Sequence, residues 1–258
     1  MVPDSPSVPA TEPPLLYEEN GELSLHFNFP TIQSRMLKAD PGRLILDYTR
    51  TMMGFLLLHP KPERIAMIGL GGGSLAKYCR LKLPEADFTA VELLSEVIAL
   101  RKAFEIPEDD THFRIVCADG AAFVRRKPDA FDILLVDGFN SDGQPGQLCS
   151  NAFYRNCHAA LRQDGILVVN LCADDPACGV YSSRISDAFD HKTIVVEADE
   201  GENKIVFALK SGRFPTSFPE LTGRLRALET LHPVDLDKTA QKILGRGQAQ
   251  RGRPSRRR

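Results

Sequence analysis

Apolar and polar positions alternate along this chain with two different periods, and the switches between them mark its elements. In residues 15–29 the apolar side chains Leu23, Leu25, Phe27 and Phe29 take every second position, and Asn20-Gly21 is a turn signal. That period of two predicts a small β-hairpin. Residues 31–43, carrying Gln33, Ser34 and Arg35, read as a loop. Residues 44–59 place Leu44, Tyr48, Met52, Phe55 and Leu56 at helical spacing, and Pro60 and Pro62 end the run. Short apolar runs then alternate with helical patterns. Strands are expected at 65–68, 87–91, 113–117, 131–136 and 165–171. Helices are expected at 74–83, 95–104 with Ser95 as N-cap, 121–126, 151–161 and 181–189. The last two strands, 193–197 and 204–209, are too close for a helical crossover, so one of them must run antiparallel.

Apolar strands alternating with helices imply a doubly wound sheet covered on both faces. With the closing antiparallel hairpin, this is an α/β fold: a Rossmann-like, methyltransferase-type, mostly parallel sheet preceded by a small N-terminal β-hairpin. The proline-rich residues 1–14 read as a disordered leader, and 15–62 as the hairpin and helix. Residues 63–212 form the Rossmann-like domain, 213–245 a polar helical segment, and 246–258 a basic disordered tail.

The glycine turn Gly69, Gly71, Gly72, Gly73 between the first of these strands and its helix is a place where backbone N–H groups can face a ligand. Ligands of open α/β sheets bind outside the carboxyl ends of the strands. Three consecutive strands end there in an acid. Glu92 follows Gly72 by twenty residues, the spacing at which a carboxylate meets ribose hydroxyls. Asp119, before Gly120, can accept from an adenine amino group or simply cap the next helix. Asp137 faces the reacting part of a ligand, or serves as a turn residue before Gly138. A nicotinamide dinucleotide explains the glycines and Glu92; an adenosyl-sulfonium compound also gives Asp119 and Asp137 a use.

The runs GLGGGSLAKYCRLKLPEADFTAVELLSEVIALRKAF, VCADGAAFV, FDILLVDGFNSDGQP and DGILVVNL, with QSRM and DYTRTMM upstream, resemble spermidine synthase and its bacterial relatives, the polyamine aminopropyltransferases. The resemblance implies aminopropyl transfer from decarboxylated S-adenosylmethionine to putrescine or another small cationic amine, with release of methylthioadenosine. It implies that Glu92 holds the ribose and Asp119 with Gly120 the adenine end. Gly69, Gly71, Gly72 and Gly73 would lie along the sulfonium arm, and Gln33 near the nucleoside. Asp137 would receive the amine, and Asp142 would be the second loop acid. The family loop reads Asp-Ser-Ser-Asp-Pro, with three positions from acid to acid, whereas Asp137 and Asp142 are five apart. An S-adenosylmethionine-dependent methyltransferase and a non-catalytic nucleoside-binding protein are the alternatives on this fold. The family's N-terminal β region helps form oligomers, so a homodimer is one expectation.

Composition narrows this further. At 43% hydrophobic and 26% charged, the chain can bury a core. It has no run of about 18 apolar residues, hence no expected membrane partner. Six cysteines without C-x-x-C spacing read as packed thiols of a reducing compartment, which makes the cytoplasm the expected location. Six histidines show no ligand spacing, and no metal is expected. Net charge is −2, yet the last thirteen residues hold six arginines and no acid. The body is therefore more acidic, as suits a cationic substrate, and the tail could make weak nucleic-acid contacts.

Overall fold

The computed structural model describes residues 14–28, 31–141, 143–215 and 217–251. Residues 1–13 of the expected leader and residues 252–258 of the tail lie outside these. The chain opens with three antiparallel strands, β1 (Leu15–Glu19), β2 (Glu22–His26) and β3 (Ser34–Leu37). Asn20 and Gly21 turn the first hairpin with φ of 52° and 79°, the pair of positive values that a two-residue hairpin demands. The expected loop at 31–43 thus contains a strand. It has only four residues, and it forms because β2 offers its second edge to it, with Leu23 opposite Met36. Ser34 and Met36 point inward.

The first helix is shorter than its periodicity. The chain enters α1 (Asp47–Met52) from an extended Leu46, then tightens into a 3₁₀ turn over Met53–Leu57. Gly54 sits in that turn where a Cβ would lie 2.7 Å from Thr239 and 2.9 Å from Phe207. The Rossmann-like units follow: β4 (Arg64–Ile68), α2 (Ser74–Lys82), β5 (Asp87–Glu92), α3 (Ser95–Ala99), β6 (Phe113–Cys117), α4 (Gly120–Arg125), β7 (Phe131–Val136), α5 (Asn151–Ala160), β8 (Leu161–Cys172) and α6 (Cys178–Ala188). β9 (Thr193–Glu197), β10 (Asn203–Leu209), α7 (Phe218–Glu229) and α8 (Asp237–Arg251) complete the chain.

α3 covers only half of the predicted run. Leu94, not Ser95, is its N-cap, and the Ser95 hydroxyl donates to Glu96. The chain leaves the helix so that Phe104 and Ile106 can pack under the glycine turn, against Gly72 and Gly73. Another departure lies at the C-terminus. α8 continues to Arg251, so residues 246–251 of the expected disordered tail are helical, as the helix-forming residues there allow. Nor are the closing helices merely polar: Leu221, Leu225 and Leu228 of α7 and Ala240 and Ile243 of α8 are buried, as are Val234 and Leu236 in the connection between them.

The strands order as β6-β5-β4-β7-β8-β10-β9. β4 to β8 pair in parallel, and β10 runs antiparallel to both β8 and β9. One face packs on α4, α5 and α6 around Phe153, Tyr154 and Phe189. The other packs on α1, α2, α7, α8 and the small N-terminal sheet, in one core with Phe55, Phe104 and Phe207. Both terminal segments are therefore built into the sheet's second face. All six cysteines are free thiols. Among the described residues no helix is long and apolar enough to cross a membrane.

The order of strand addition reverses between β4 and β7, two parallel neighbours, since β5 and β6 lie to one side of β4 and β7 and β8 to the other. Such a switch point opens a crevice at the carboxyl end of the sheet. Here it is drawn tight: Gly69 has φ +92°, and a Cβ on it would stand 2.2 Å from the Asp137 carbonyl oxygen. Gly69→Ala should therefore lower stability by roughly 1–3 kcal/mol, through strain and overpacking together. The urea midpoint measures it; an unchanged midpoint would show that the β4–β7 approach is not a tight constraint.

Candidate active site

From one side of the sheet to the other, the carboxyl edge carries Asp119 after β6, Glu92 at the end of β5, the glycine turn after β4, Asp137 after β7 and Asn170 near the end of β8. The acids expected at the ligand edge are thus brought onto one edge, with the switch point between the glycine turn and Asp137.

The part of the edge that runs from β6 to β4 is shaped by backbone. Glu92 is 9% exposed, and each of its oxygens accepts one backbone N–H: Leu70 at 2.9 Å and Leu94 at 2.9 Å. It braces the glycine turn against the chain beyond β5, and each oxygen keeps a second lone pair for a ligand hydroxyl. Asp119 caps α4, accepting from Ala122 N at 2.6 Å. Its capping use is realised; the adenine use is neither gained nor lost by it. Gly120 permits close packing, since a Cβ there would lie 2.3 Å from Ile68 Cγ2. Gly72 and Gly73 are likewise required by their neighbours. Gly71, with φ +52°, has room: a Cβ there would come no closer than 3.7 Å, to Ser34 Cβ. Ser34 of β3 covers this turn, its Oγ lying 3.5 Å from Ser74 Oγ. Gln33 is half-buried beside it, held by its backbone N–H to Leu25 O at 2.8 Å.

Asp137 follows β7, across the switch point from the glycine turn. Its backbone N–H donates to Ile68 O at 2.9 Å, which continues the β4–β7 ladder. Asn170 Nδ2 donates to Oδ1 at 2.9 Å, and Tyr48 Oη donates to Oδ2 at 3.2 Å. Asp137 and Tyr48 keep some exposed surface. Burial nonetheless pushes the Asp137 carboxyl above the ordinary carboxylate range, and the two neutral donors pull it partly back. Tyr48 is pushed up in turn, first by burial and then by the Asp137 charge. Its hydroxyl stays a donor at any physiological pH.

Beyond Asp137 the loop turns on itself, Asn140 and Gly143 exchanging backbone hydrogen bonds of 2.9 and 3.2 Å. Asn28, beyond β2, donates to Ser141 O at 3.2 Å and ties the loop to the N-terminal sheet. Asp142 lies outside the described residues. The position three beyond Asp137 carries Asn140, an amide. Neither Tyr48 nor Asn170 stands out as a site residue in the sequence pattern. A signal existed for Asn170: a lone polar residue inside the apolar strand ILVVNL, 2% exposed, must find partners inside the protein. Among the described residues no group of three or more His, Cys, Asp and Glu side chains is placed to hold a metal.

A doubly wound sheet with one antiparallel strand, a glycine turn and acids along one edge defines a Rossmann-like fold of the methyltransferase type. Residues 46–206 match the spermine/spermidine synthase domain, and the chain belongs to that family, a family of transferases. It is 36% identical over 225 residues to a polyamine aminopropyltransferase of Chromobacterium violaceum, covering 87% of this chain and 86% of that one. It is 34% identical over 223 residues to a polyamine aminopropyltransferase of Neisseria meningitidis, covering 86% and 85%. A probable spermidine synthase from Corynebacterium glutamicum shares the fold with a TM-score of 0.70 at 20% identity, over 83% of each chain. A spermidine synthase solved in complex with the transition-state analogue AdoDATO does so with a TM-score of 0.59 at 22% identity, over 90% and 88%.

Two outcomes follow from these contacts. Glu92→Ala leaves the Leu70 and Leu94 N–H groups without their acceptor and should lower stability by about 2–3 kcal/mol in denaturant unfolding without ligand. A loss of less than half that would mean water replaces the carboxylate. Asp137→Asn should instead raise the melting temperature at neutral pH. An acid whose pKa is raised by folding contributes its stability below the unfolded value and loses it as pH rises through the folded one. The variant's advantage should therefore grow over that interval and vanish near pH ~4, the ordinary Asp value. A wild type more stable than the variant at pH 7 would contradict this.

Proposed function

We propose that this protein transfers the aminopropyl group of decarboxylated S-adenosylmethionine to a polyamine acceptor such as putrescine and releases methylthioadenosine. The observation that carries the reading is Asp137: a partly exposed carboxylate at the switch point, pushed up in pKa by burial and held by neutral donors. The family membership and the activity named for the two similar bacterial proteins support it.

An acceptor amine with a pKa near ~10.4 is mostly protonated at neutral pH, and only its free base attacks. Asp137 takes the proton from the ammonium. The nitrogen lone pair then attacks the aminopropyl carbon in line with the departing sulfur. A carbon–nitrogen bond forms, the carbon–sulfur bond breaks, and its electron pair neutralises the sulfonium to a thioether. A carboxyl with a raised pKa is a better base for the first step than an ordinary aspartate. Tyr48 and Asn170 fix its direction, and Glu92, Asp119 and the glycine turn hold the nucleoside so that both cations meet in line. Gln33 borders the nucleoside, and Asp142 receives the distal end of the acceptor.

Asp137→Asn should cut turnover by about 10²–10⁴-fold with little change in methylthioadenosine binding. Asp142→Asn should mainly raise the KM for the amine. In wild type, kcat/KM should fall as pH drops through a value above the ordinary carboxylate range. The assay is methylthioadenosine release across putrescine, cadaverine, spermidine and agmatine. The amide at Asn140, where the family loop has its second acid, favours testing methyl transfer beside it. Product from S-adenosylmethionine with some acceptor, and none from these amines, would replace the aminopropyl reading.

A further inference from the structure

The hydrogen-bond chain at Asp137 does not end at Asn170. Asn203 Nδ2 donates to Asn170 Oδ1 at 2.9 Å, and Asn170 Nδ2 donates to Asp137 Oδ1 at 2.9 Å. The two asparagines are diagonal neighbours on one face of the sheet: Asn170 on β8 is opposite Ile205, and Asn203 lies two positions before it on β10. Asn170 is 2% exposed, so neither end of its amide can be left unpartnered without cost.

A primary amide can present either of two faces to a carboxyl group. Its NH₂ stabilises the ionised form; its carbonyl accepts a proton from, and stabilises, the neutral form. What decides between them is the partner on the amide's far side. We propose that Asn203 is a positioning residue for Asp137: by donating to Asn170 Oδ1 it locks that amide with Nδ2 toward the carboxylate, which keeps Asp137 a proton acceptor. Asn203 touches neither reacting group and acts through Asn170. Its own place is fixed from outside the site. The turn before it is anchored where Glu200 N donates to Asp47 Oδ2 of α1 at 2.6 Å, and where Asp199 accepts from Lys238 and Lys242 of α8 at 3.0 and 2.8 Å.

The titratable groups around this chain are few. From α1, Tyr48 touches the carboxylate, and Asp47 acts on Tyr48 at longer range. On β8, Cys172 is opposite Asn203, and Glu202 and Lys204 flank Asn203 in sequence. Among the described residues no cation acts on Asp137: burial raises its carboxyl, and the hydrogen bonds from Asn170 and Tyr48 lower it. Of the two donors, Asn170 is the one whose orientation is held by a further side chain, Asn203.

The proposal rests on Asp137 acting as the proton acceptor, and it is tested on the full-length, substrate-free protein by ¹³C-carboxyl NMR of labelled aspartates, with the Asp137 signal assigned by its loss in Asp137→Asn. Asn203→Asp keeps the shape but replaces the donor by an acceptor, so Asn170 should turn and offer Oδ1 to Asp137. The Asp137 titration should move up by about one pH unit or more. Asn203→Leu, which adds no charge, should move it up by a smaller amount. In an Asn170→Leu background the Asn203→Asp shift should shrink to the part carried by charge alone. The acid limb of kcat/KM should move with the titration, while methylthioadenosine binding stays as in wild type. An unmoved titration in Asn203→Leu, or an undiminished Asn203→Asp shift without Asn170, overturns the proposal. So does a fall in melting temperature with no change in titration, which would make Asn203 structural only. Because the titration needs no substrate, it decides the relay even if no amine is aminopropylated.

Discussion

The ligand edge depends on one close approach, that of the Asp137 backbone to Gly69 across the switch point. Only a residue without Cβ lets the Asp137 carbonyl come so near β4. That contact sets where the Asp137 side chain begins, and the two neutral donors set where it ends. A lysine or arginine partner would have held the carboxylate as well, but would have lowered its pKa and satisfied its charge. Tyr48 and Asn170 fix the geometry and leave the charge free to meet a cation.

The rest of the chain serves this edge from a distance. The N-terminal sheet is no separate module: Ser34 lies on the glycine turn, and Asn28 ties down the loop after β7. The C-terminal helices complete the core on the same face, and Lys238 and Lys242 hold the β9–β10 turn from which the asparagine chain starts. Phe104 and Ile106 wedge the glycine turn from below, and Lys77 secures them by donating to Phe104 O at 2.7 Å. Burial lowers the pKa of that lysine to about 8. Each support touches main chain or turns, so the edge keeps its shape with its polar groups still available.

How much of this could be read from residues alone differs by kind of interaction. The strands and their order in the chain were legible, because apolar runs broken by glycine and acids leave few other foldings. The edge acids were legible because the strand ends place them. β3 was not, since four residues carry no period worth the name and its pairing is set by β2. The early end of α3 was not, because its helical spacing persists while Phe104 is needed elsewhere. The paired roles of Glu92 and Asp119, bracing and capping, depend on which backbone N–H groups come within reach. Tyr48 and Asn170 lie 89 and 33 residues from Asp137, and only the assembled sheet brings them to it.

A carboxylate kept partly out of water without a charged partner is a strain on the free protein, and a cation entering the crevice relieves it. On the proposed reading, part of the acceptor's affinity is this relief. It is gained at the reacting end, where the ammonium meets Asp137. The loop then has to deal with the acceptor's other end differently from the short-spaced family loop, because the third position after Asp137 is the amide of Asn140 and not an acid. An amide can accept from a distal ammonium but does not offset its charge. The next acid in sequence is Asp142, two residues further on. On the proposed reading, the loop that meets the acceptor's other end is closed by the turn of Asn140 and Gly143 and tied through Ser141 to Asn28 beyond β2, so its hold on the N-terminal sheet bears on which acceptors fit.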